Sequence, residues 1–177
     1  MAKVIANAGN LLRRLKSIAN VDLEEVVKTA TVLVHGQAVM LAPVNNGLLR
    51  ESIHMSVKKT DQEVVGRVYT NNEYAPYVEF GTGIRGNGTY KYNVKGLSLS
   101  YRNSPWFIPA EKISDSTAEK YHFQKITFAN GTSYYISYGQ VAQPFMYPAL
   151  DMNRDFINNS IAKGVKEALA SYCKGGK

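Results

Sequence analysis

Apolar residues recur at helical spacing in three stretches of the chain. The longest stretch follows an i, i+3, i+4, i+7 rhythm, and Asp22 and Glu25 at its start have the spacing of a capping box. It predicts a long amphipathic helix that ends before Pro43, because the residue preceding a proline avoids the helical conformation. Similar stripes predict a helical extension over residues 3–18 and a final helix over about residues 149–172.

Between the helical stretches, apolar and polar residues alternate with a period of two. This alternation in residues 52–57 and 64–69 predicts two antiparallel strands. Residues 74–80 are aromatic and apolar and are interpreted as a further strand, which ends at Gly81-Thr82-Gly83. The dipeptide Asn130-Gly131 lies between two short alternating runs and predicts a hairpin turn.

Together these elements predict an α+β fold. In this fold the long N-terminal amphipathic helix and the C-terminal helix pack on a small antiparallel sheet. The chain length predicts a single domain over residues 1–177. Residues 84–142 hold seven of the twelve tyrosines and the single tryptophan, and they are interpreted as an inserted β-rich arm. Residues 1–20 are interpreted as a basic, helical N-terminal extension.

The formal net charge of +7 is unevenly distributed. Residues 1–20 and residues 84–143 each contribute +4, whereas residues 42–83 sum to −1. A sequence-specific nucleic-acid reader would carry a denser basic stripe on one element. The chain has no run of about 18 apolar residues, so no membrane span is predicted. One cysteine and three scattered histidines predict neither a disulfide nor a zinc motif, and no cofactor or metal is expected.

Residues 81–86 match the pattern G-x-G-x-x-G. This pattern binds dinucleotides when it follows a strand and opens a helix within a βαβ unit. The residues after Gly86 have turn and β character instead. The glycines are therefore interpreted as a flexible loop that leaves a strand.

Two carboxylates flank the aromatic segment and raise the question of acid–base or metal chemistry. Glu73 and Glu79 are six residues apart, with no third acid or histidine close to them in sequence. Glu79 lies among apolar neighbours and requires a cation or backbone N–H groups as partners. Arg50 is the natural cation, so a structural ion pair is favoured over catalysis. His54 and Ser52 share a strand face, which alone does not make a catalytic pair.

Three segments together resemble a known family. They read A-P-V-N-N-G-L-L-R-E-S-I at residues 42–53, Y-A-P-Y-V-E-F-G-T-G at the end of residues 68–83, and P-F-M-Y-P-A within residues 143–150. In order and spacing they are similar to the tail-component or neck protein family of long-tailed bacteriophages. The pattern of that family is A-P-V-D-T-G-x-L-R-x-S-I, then Y-A-x-Y-V-E-F-G-T-G, then P-F-x-x-P-A. The chain departs from it at Asn45-Asn46 and in the length and aromatic content of residues 84–142.

The resemblance covers residues 21–83 and 143–172 and implies a non-enzymatic structural protein of the phage neck. Such a protein forms a homo-oligomeric ring, a hexamer or a dodecamer, around the DNA channel and joins the capsid connector to the tail. The implied partners are a head-closure or connector protein and a tail terminator or tail tube, with genomic DNA nearby and no membrane. The implied location is the head–tail junction of the virion, after assembly in the cytoplasm of the bacterial host.

The resemblance also implies which residues form the turns and interfaces of such a ring. The motif and interface candidates are Pro43, Gly47, Arg50, Tyr74, Tyr77, Glu79, Phe80, Gly81, Gly83, Pro144, Phe145 and Pro148. The cations expected to face a DNA channel or an assembly partner are Lys3, Arg13, Arg14, Lys16, Arg85, Lys91 and Lys95.

Two other hypotheses compete with the structural one. The first is a soluble nucleic-acid-binding module that uses the basic, aromatic segment 84–143, because aromatic rings stack on bases and cations follow phosphates. The second is a hydrolase or nuclease in which Glu73 and Glu79 hold a metal ion.

Overall fold

The computed structural model describes residues 23–61 and 63–174. The described residues form two compact units, one comprising residues up to Asn71 and from Pro148 onward, the other comprising Asn72–Tyr147. Helices and small antiparallel sheets make up both units, which confirms the predicted α+β class. The predicted division into a single domain with an arm at 84–142 stays a prediction.

The elements follow one another with short connections in the first unit and longer ones in the second. In chain order they are α1 (Glu24–Leu41), α2 (Leu48–Glu51), β1 (Ile53–Lys59), β2 (Val64–Thr70), α3 (Ala75–Phe80), α4 (Gly83–Gly86), β3 (Trp106–Pro109), a 3₁₀ helix (Ala110–Lys112), α5 (Asp115–Lys120), β4 (Gln124–Thr127), β5 (Ser133–Ser137), α6 (Met146–Asp151) and α7 (Arg154–Lys174).

Helix α1 is the long helix that the apolar rhythm predicts, and it ends where Ala42 becomes extended before Pro43. Leu23 precedes it and caps it with no side-chain hydrogen bond. Asp22 of the predicted capping box lies outside the described residues, as does the predicted extension at residues 1–20. The buried residues of α1 recur three to four positions apart and form one face: Ala30, Thr31, Val34 and Ala38.

Strands β1 and β2 form the antiparallel hairpin that the alternation predicts, in a register that pairs Ile53 with Thr70. Helix α1 packs on both strands. The backbone of β2 approaches α1 closely at Gly66, where a Cβ atom would overlap Thr31 and lie 3.1 Å from a methyl carbon of Val27. His35 of α1 is bonded through its Nε2 to the carbonyl oxygen of Ile53, 3.0 Å away. The hairpin is therefore covered by α1 on one face.

The predicted final helix over about residues 149–172 is interrupted by a turn at residues 152–153, so that its first residues belong to α6 and α7 begins at Arg154. Helix α7 packs on α1. Gly164 lies at this contact, because a Cβ atom there would be 3.1 Å from Val26 and 3.5 Å from Leu23. The half-buried apolar side chains of α7 include Ile157, Ile161 and Val165, which share one helical face. The long and final helices thus enclose the core of the first unit together with the hairpin.

The second unit contains a three-stranded antiparallel sheet with strand order β3-β5-β4. Strands β4 and β5 are joined by the turn predicted at Asn130-Gly131, and Gly131 has a φ of 81°. Ser114 caps α5 by accepting a hydrogen bond from the backbone N–H of Thr117. The Asp115 carboxylate accepts a hydrogen bond from the hydroxyl of Tyr135, which ties α5 to the sheet.

The segment interpreted as an aromatic strand at residues 74–80 is helical, so that prediction was wrong. Pro76 stands in the first turn of α3, where its missing N–H costs no hydrogen bond and its fixed φ suits a helix. Ala75 and Glu79, four positions apart, are the two buried residues of this helix. The apolar and aromatic residues of this segment have no clear helical or alternating period in the sequence. The burial of two side chains at helical spacing decided the conformation.

Candidate assembly site

Glu79 is buried, with 5% of its surface exposed, and both oxygens of its carboxylate accept hydrogen bonds within the second unit. Its Oε2 accepts hydrogen bonds from the backbone N–H groups of Phe145 at 2.7 Å and Met146 at 2.9 Å. Its Oε1 accepts one from the N–H of Tyr147 at 3.1 Å. The carboxylate thus bonds to consecutive N–H groups where α6 begins, which otherwise have no partner within the helix.

The predicted ion pair between Arg50 and Glu79 was therefore wrong. Arg50 Nε donates to the carbonyl oxygen of Ala42 at 2.9 Å, and Nη2 donates to that of Met40 at 3.3 Å. These are carbonyl groups at the C-terminal end of α1, where a cation is also favoured by the helix dipole. Backbone groups are therefore the partners of both Glu79 and Arg50. For Glu79, backbone N–H groups are one of the two kinds of partner that the sequence predicts.

The turn between α1 and β1 contains the other residues of the first motif. Gly47 has a φ of 87° and precedes α2, a conformation that favours glycine. The N–H of Leu48 donates to Oδ1 of Asn46 at 3.3 Å. Pro43 is half-buried directly after α1. This motif therefore reverses the chain between helix and hairpin.

The glycine pattern at residues 81–86 is closely packed backbone and not the flexible loop that the sequence suggested. Thr82 and Gln140 form a bridge, in which the N–H of Thr82 donates to the carbonyl of Gln140 at 2.9 Å. A Cβ on Gly81 would lie 2.7 Å from the backbone nitrogen of Ala142. One on Gly83 would lie 2.7 Å from the carbonyl oxygen of Tyr138 and against the ring of Trp106.

The same glycines follow helix α3, so they do not leave a strand, and they open only the single turn of α4. A dinucleotide pattern needs a continuing helix whose N-terminal N–H groups meet the pyrophosphate. Here the glycines permit contact between two backbone segments.

Aromatic rings form a ladder beside Glu79. The centroid of Phe80 is 5.0 Å from that of Tyr90, Tyr90 is 5.6 Å from Tyr92, and Tyr92 is 5.1 Å from Tyr147. Burial raises the pKa of Tyr90 to about 12, with a smaller contribution from the negative charge of Glu79. The ladder lies entirely within the second unit and stabilises the loop that follows α4.

The remaining motif candidates divide between core and surface. Phe145 is fully buried, and Pro148 is buried as well. Tyr74 and Tyr77 expose 41% and 58% of their surfaces at α3. Pro144 is half-buried. The motif thus supplies both interior packing and exposed aromatic surface.

The exposed face of α1 is also apolar. Val32, Leu33 and Met40 expose 48%, 39% and 72% of their surfaces, and Gly36 between them has open space around its Cα. From Thr29 to the end of the helix there is no Asp, Glu, Lys or Arg. A surface helix ordinarily carries charged residues on the face opposite its core stripe. We call Val32, Leu33, Gly36 and Met40 the apolar face of α1.

Among the described residues, the groups considered for catalysis have other surroundings. Glu73 is exposed, whereas Glu79 is occupied by three N–H groups. The hydroxyl of Ser52 bonds to Thr70 and to the carbonyl of Leu49, while His54 lies 5.8 Å from the ring of Tyr69. Over residues 23–61 and 63–174, no cluster of three or more His, Cys, Asp or Glu residues is placed to hold a metal ion.

The predicted channel cations are only partly described. Arg85, Lys91 and Lys95 are exposed in the second unit. Those of the N-terminal segment lie outside the described residues: Lys3, Arg13, Arg14 and Lys16. No helix in the described part of the chain is long and apolar enough to cross a membrane.

Two structurally important glycines were missed by reasoning from the sequence. Gly66 permits close packing of α1 on the hairpin, and Gly139 packs against the backbone of Thr82. A glycine inside an alternating strand marks a close backbone approach, so the signal for Gly66 was present. Gly139, with a φ of 90°, lies in a loop where no pattern distinguishes it.

Comparison with known proteins identifies a similar family. The model of a family described as "Bacteriophage HK97-gp10, putative tail-component" matches residues 3–81. The match includes the first two motif segments up to Gly81 and confirms the resemblance there, whereas the third segment lies beyond it. No curated protein and no solved structure is significantly similar to the chain.

Proposed function

We propose, from the premise that residues 3–81 belong to the HK97-gp10-like family of bacteriophage tail components, that this chain is a structural protein of the phage neck. In this proposal it forms a homo-oligomeric ring around the DNA channel at the head–tail junction. The ring joins the capsid connector to the tail. The family match is the observation that carries the proposal.

The roles of the motif residues support a scaffolding function. Arg50 binds the carbonyl groups that end α1, Glu79 binds the N–H groups that begin α6, and Gly81 permits backbone contact. Each of these groups has its contact partner within the folded chain. A catalytic carboxylate would instead keep an oxygen accessible to substrate, so this use of Glu79 supports a non-enzymatic protein.

The apolar face of α1 supports assembly with other subunits. Exposed contiguous apolar surface on a folded chain marks a site of protein contact. The absence of charge along this face removes the desolvation penalty that Lys, Glu or Asp would impose at an interface. We propose that copies of the chain meet through this face, in a head-to-tail contact that closes into a hexamer or dodecamer.

The proposed partners follow from the position in the particle. One end of the ring would bind a head-closure or connector protein and the other a tail terminator or tail tube. Genomic DNA would pass through without sequence-specific contact. The chain would assemble in the cytoplasm of the bacterial host and remain in the virion.

Mass measurement by light scattering tests the ring, using the purified chain alone and with its connector partner. We expect closed oligomers of the wild-type chain in at least one condition. The variant Val32→Glu/Met40→Glu places two charges on the apolar face of α1 and should shift the population to monomers. The control Asn158→Glu/Asn159→Glu adds the same charges at exposed positions of α7 and should leave assembly unchanged.

A monomeric wild-type chain in every condition would contradict the ring. Equal loss of assembly in both variants would contradict the proposed face. Electron microscopy of the particle tests the location, because density for this chain away from the head–tail axis would remove the neck assignment.

A further inference from the structure

The positive charge of the second unit is concentrated in its first part. Residues 84–105 contain four cations and no acid, whereas residues 106–143 contain three cations and three acids. The four cations of the first part are Arg85, Lys91, Lys95 and Arg102. We call residues 84–105 the basic loop.

All four cations of the basic loop are exposed. Among the described residues, none of them forms an ion pair with a carboxylate. We call residues 106–143 the balanced part, because they contain equal numbers of cations and acids. Lys125 in this part differs, because its Nζ lies 3.4 Å from Oδ1 of Asp115. The basic loop therefore presents positive charge that this part of the chain leaves uncompensated.

The basic loop has no helix or strand between residues 87 and 105, yet its side chains hold it in place. Tyr90 and Tyr92 belong to the aromatic ladder, and the hydroxyl of Tyr101 donates to the carbonyl oxygen of Phe80 at 2.8 Å. Loops of this length without secondary structure are uncommon in compact domains unless they have a function.

Two of the four cations lie beside these anchored rings. Lys91 is exposed between half-buried Tyr90 and Tyr92, and Arg102 follows half-buried Tyr101. The guanidinium of Arg102 also lies 5.3 Å from the centroid of the Trp106 ring. The tyrosines thus fix the backbone around these two cations, so the loop has less conformational entropy to lose on binding.

We propose that the basic loop binds the phosphate backbone of duplex DNA without sequence preference. This inference rests on the proposed function for the identity of its ligand, since the duplex threads the ring. Four exposed cations on an anchored loop match a polyanion, and release of counterions from the duplex drives such binding. A loop without a recognition helix or strand has no element to read base edges in the major groove.

The test measures binding of the full chain to a short mixed-sequence DNA duplex by fluorescence anisotropy across a salt series. The variant Lys91→Gln/Lys95→Gln removes two cations of the basic loop. We expect its affinity to fall roughly tenfold near physiological salt, and the log–log salt slope to lose about two units. The control Lys112→Gln/Lys120→Gln removes the same charge from the balanced part and should change neither quantity substantially.

Three outcomes would overturn the proposal. Equal weakening in both variants would show a response to net charge alone, and unchanged binding in the loop variant would exclude the loop. Competition by polyglutamate as strong as competition by DNA would point to an acidic protein partner instead. Circular dichroism of each variant confirms that folding is retained.

The mass of the same samples separates this inference from the proposed ring. If the chain forms closed oligomers but its DNA binding is unchanged in the loop variant, the inference is contradicted and the proposed ring is not. Monomers that bind DNA through the basic loop would support the inference and contradict the ring. The chain would then be the soluble nucleic-acid-binding module that segment 84–143 suggests.

Discussion

Glu79 and Arg50 illustrate how charged residues in the family motif serve the backbone. Glu79 accepts three consecutive N–H groups, and Arg50 donates to two carbonyl groups at the end of a helix. A charged hydrogen bond contributes more than a neutral one, and its loss leaves buried backbone groups without partners. Such residues resist substitution because each satisfies several groups at once.

Replacement of Glu79 by glutamine should destabilise the fold. The amide nitrogen of the substituted side chain cannot accept the N–H bonds that a carboxylate oxygen accepts, so at least one buried donor loses its partner. We expect a loss of about 1–3 kcal/mol in the free energy of unfolding, measured by urea denaturation. Glu73→Gln, at an exposed position, should change it by less than about 0.5 kcal/mol. Similar values for both variants would contradict the role assigned to Glu79.

Tyr90 predicts a dependence of stability on alkaline pH. Its pKa is raised to about 12, chiefly by burial and next by the charge of Glu79, from the ordinary tyrosine value of 10.0. Between these values the unfolded chain loses the phenolic proton while the folded chain keeps it. The unfolded state therefore binds fewer protons, and stability falls as pH rises from 10 towards 12.

The variant Tyr90→Phe removes this ionisation and should show a shallower decline over the same pH range. Urea denaturation at several alkaline pH values measures the effect. Tyr121→Phe retains Tyr90 and should follow the wild-type decline. An identical slope in the wild type and in Tyr90→Phe would show that Tyr90 ionises alike in both states.

At the scale of elements, close approach of backbones decides where helices and strands pack. Gly66 lets α1 contact the hairpin, and Gly81 and Gly83 let α4 contact the segment around Gln140. The side-chain pattern determines where each helix or strand lies in the sequence. At these contacts the distance between packed elements is set by glycine, which has no side chain. Glycine inside an element costs stability locally, so a packing contact is the usual reason for it.

The two glycines Gly66 and Gly36 give opposite predictions for alanine substitution. In Gly66→Ala the new Cβ would overlap Thr31, and overpacking should cost about 1–3 kcal/mol of unfolding free energy. In Gly36→Ala the Cβ meets nothing within 4 Å, and the better helix propensity of alanine should add up to about 1 kcal/mol. Thermal and urea denaturation measure both.

A second substitution identifies the cause at Gly66. The double variant Thr31→Ala/Gly66→Ala removes the side chain that the new Cβ meets and should recover part of the loss. Additivity of the two single effects would mean that Thr31 is not the contact that matters.

At the scale of the whole molecule, charge and apolar surface are separated between different segments. The apolar face of α1 carries no formal charge, whereas the basic loop carries four cations without an acid. Salt screens interactions between exposed charges but does not weaken apolar contacts. The two proposed interactions should therefore respond differently to salt.

Raising the salt concentration should release DNA from the chain while the oligomer persists. Parallel measurements of anisotropy with duplex DNA and of mass by light scattering give both responses on one sample. Dissociation of the oligomer in step with DNA release would mean that charge, and not the apolar face of α1, holds the copies together. A common response would thus contradict the proposed division.

Local patterns in the sequence were sufficient for α1, the β1–β2 hairpin, the turn at Asn130-Gly131 and the final helix from Arg154 onward. These elements have local causes: a helical or alternating apolar pattern, a proline stop or a turn dipeptide. The motif segments were likewise enough to indicate a resemblance to the family whose model matches residues 3–81. Local chemistry therefore determined the class of fold and the resemblance to that family.

Only the tertiary structure decided the conformation of residues 74–80 and the partners of Glu79 and Arg50. An apolar run without a clear period fits a strand or a helix, and in the structure Ala75 and Glu79 are buried at the spacing of a helix. A buried charge needs a partner, but the sequence does not state whether a side chain or the backbone supplies it. Glu79 finds its first N–H partner 66 residues away because folding, not spacing, brings Phe145 beside it.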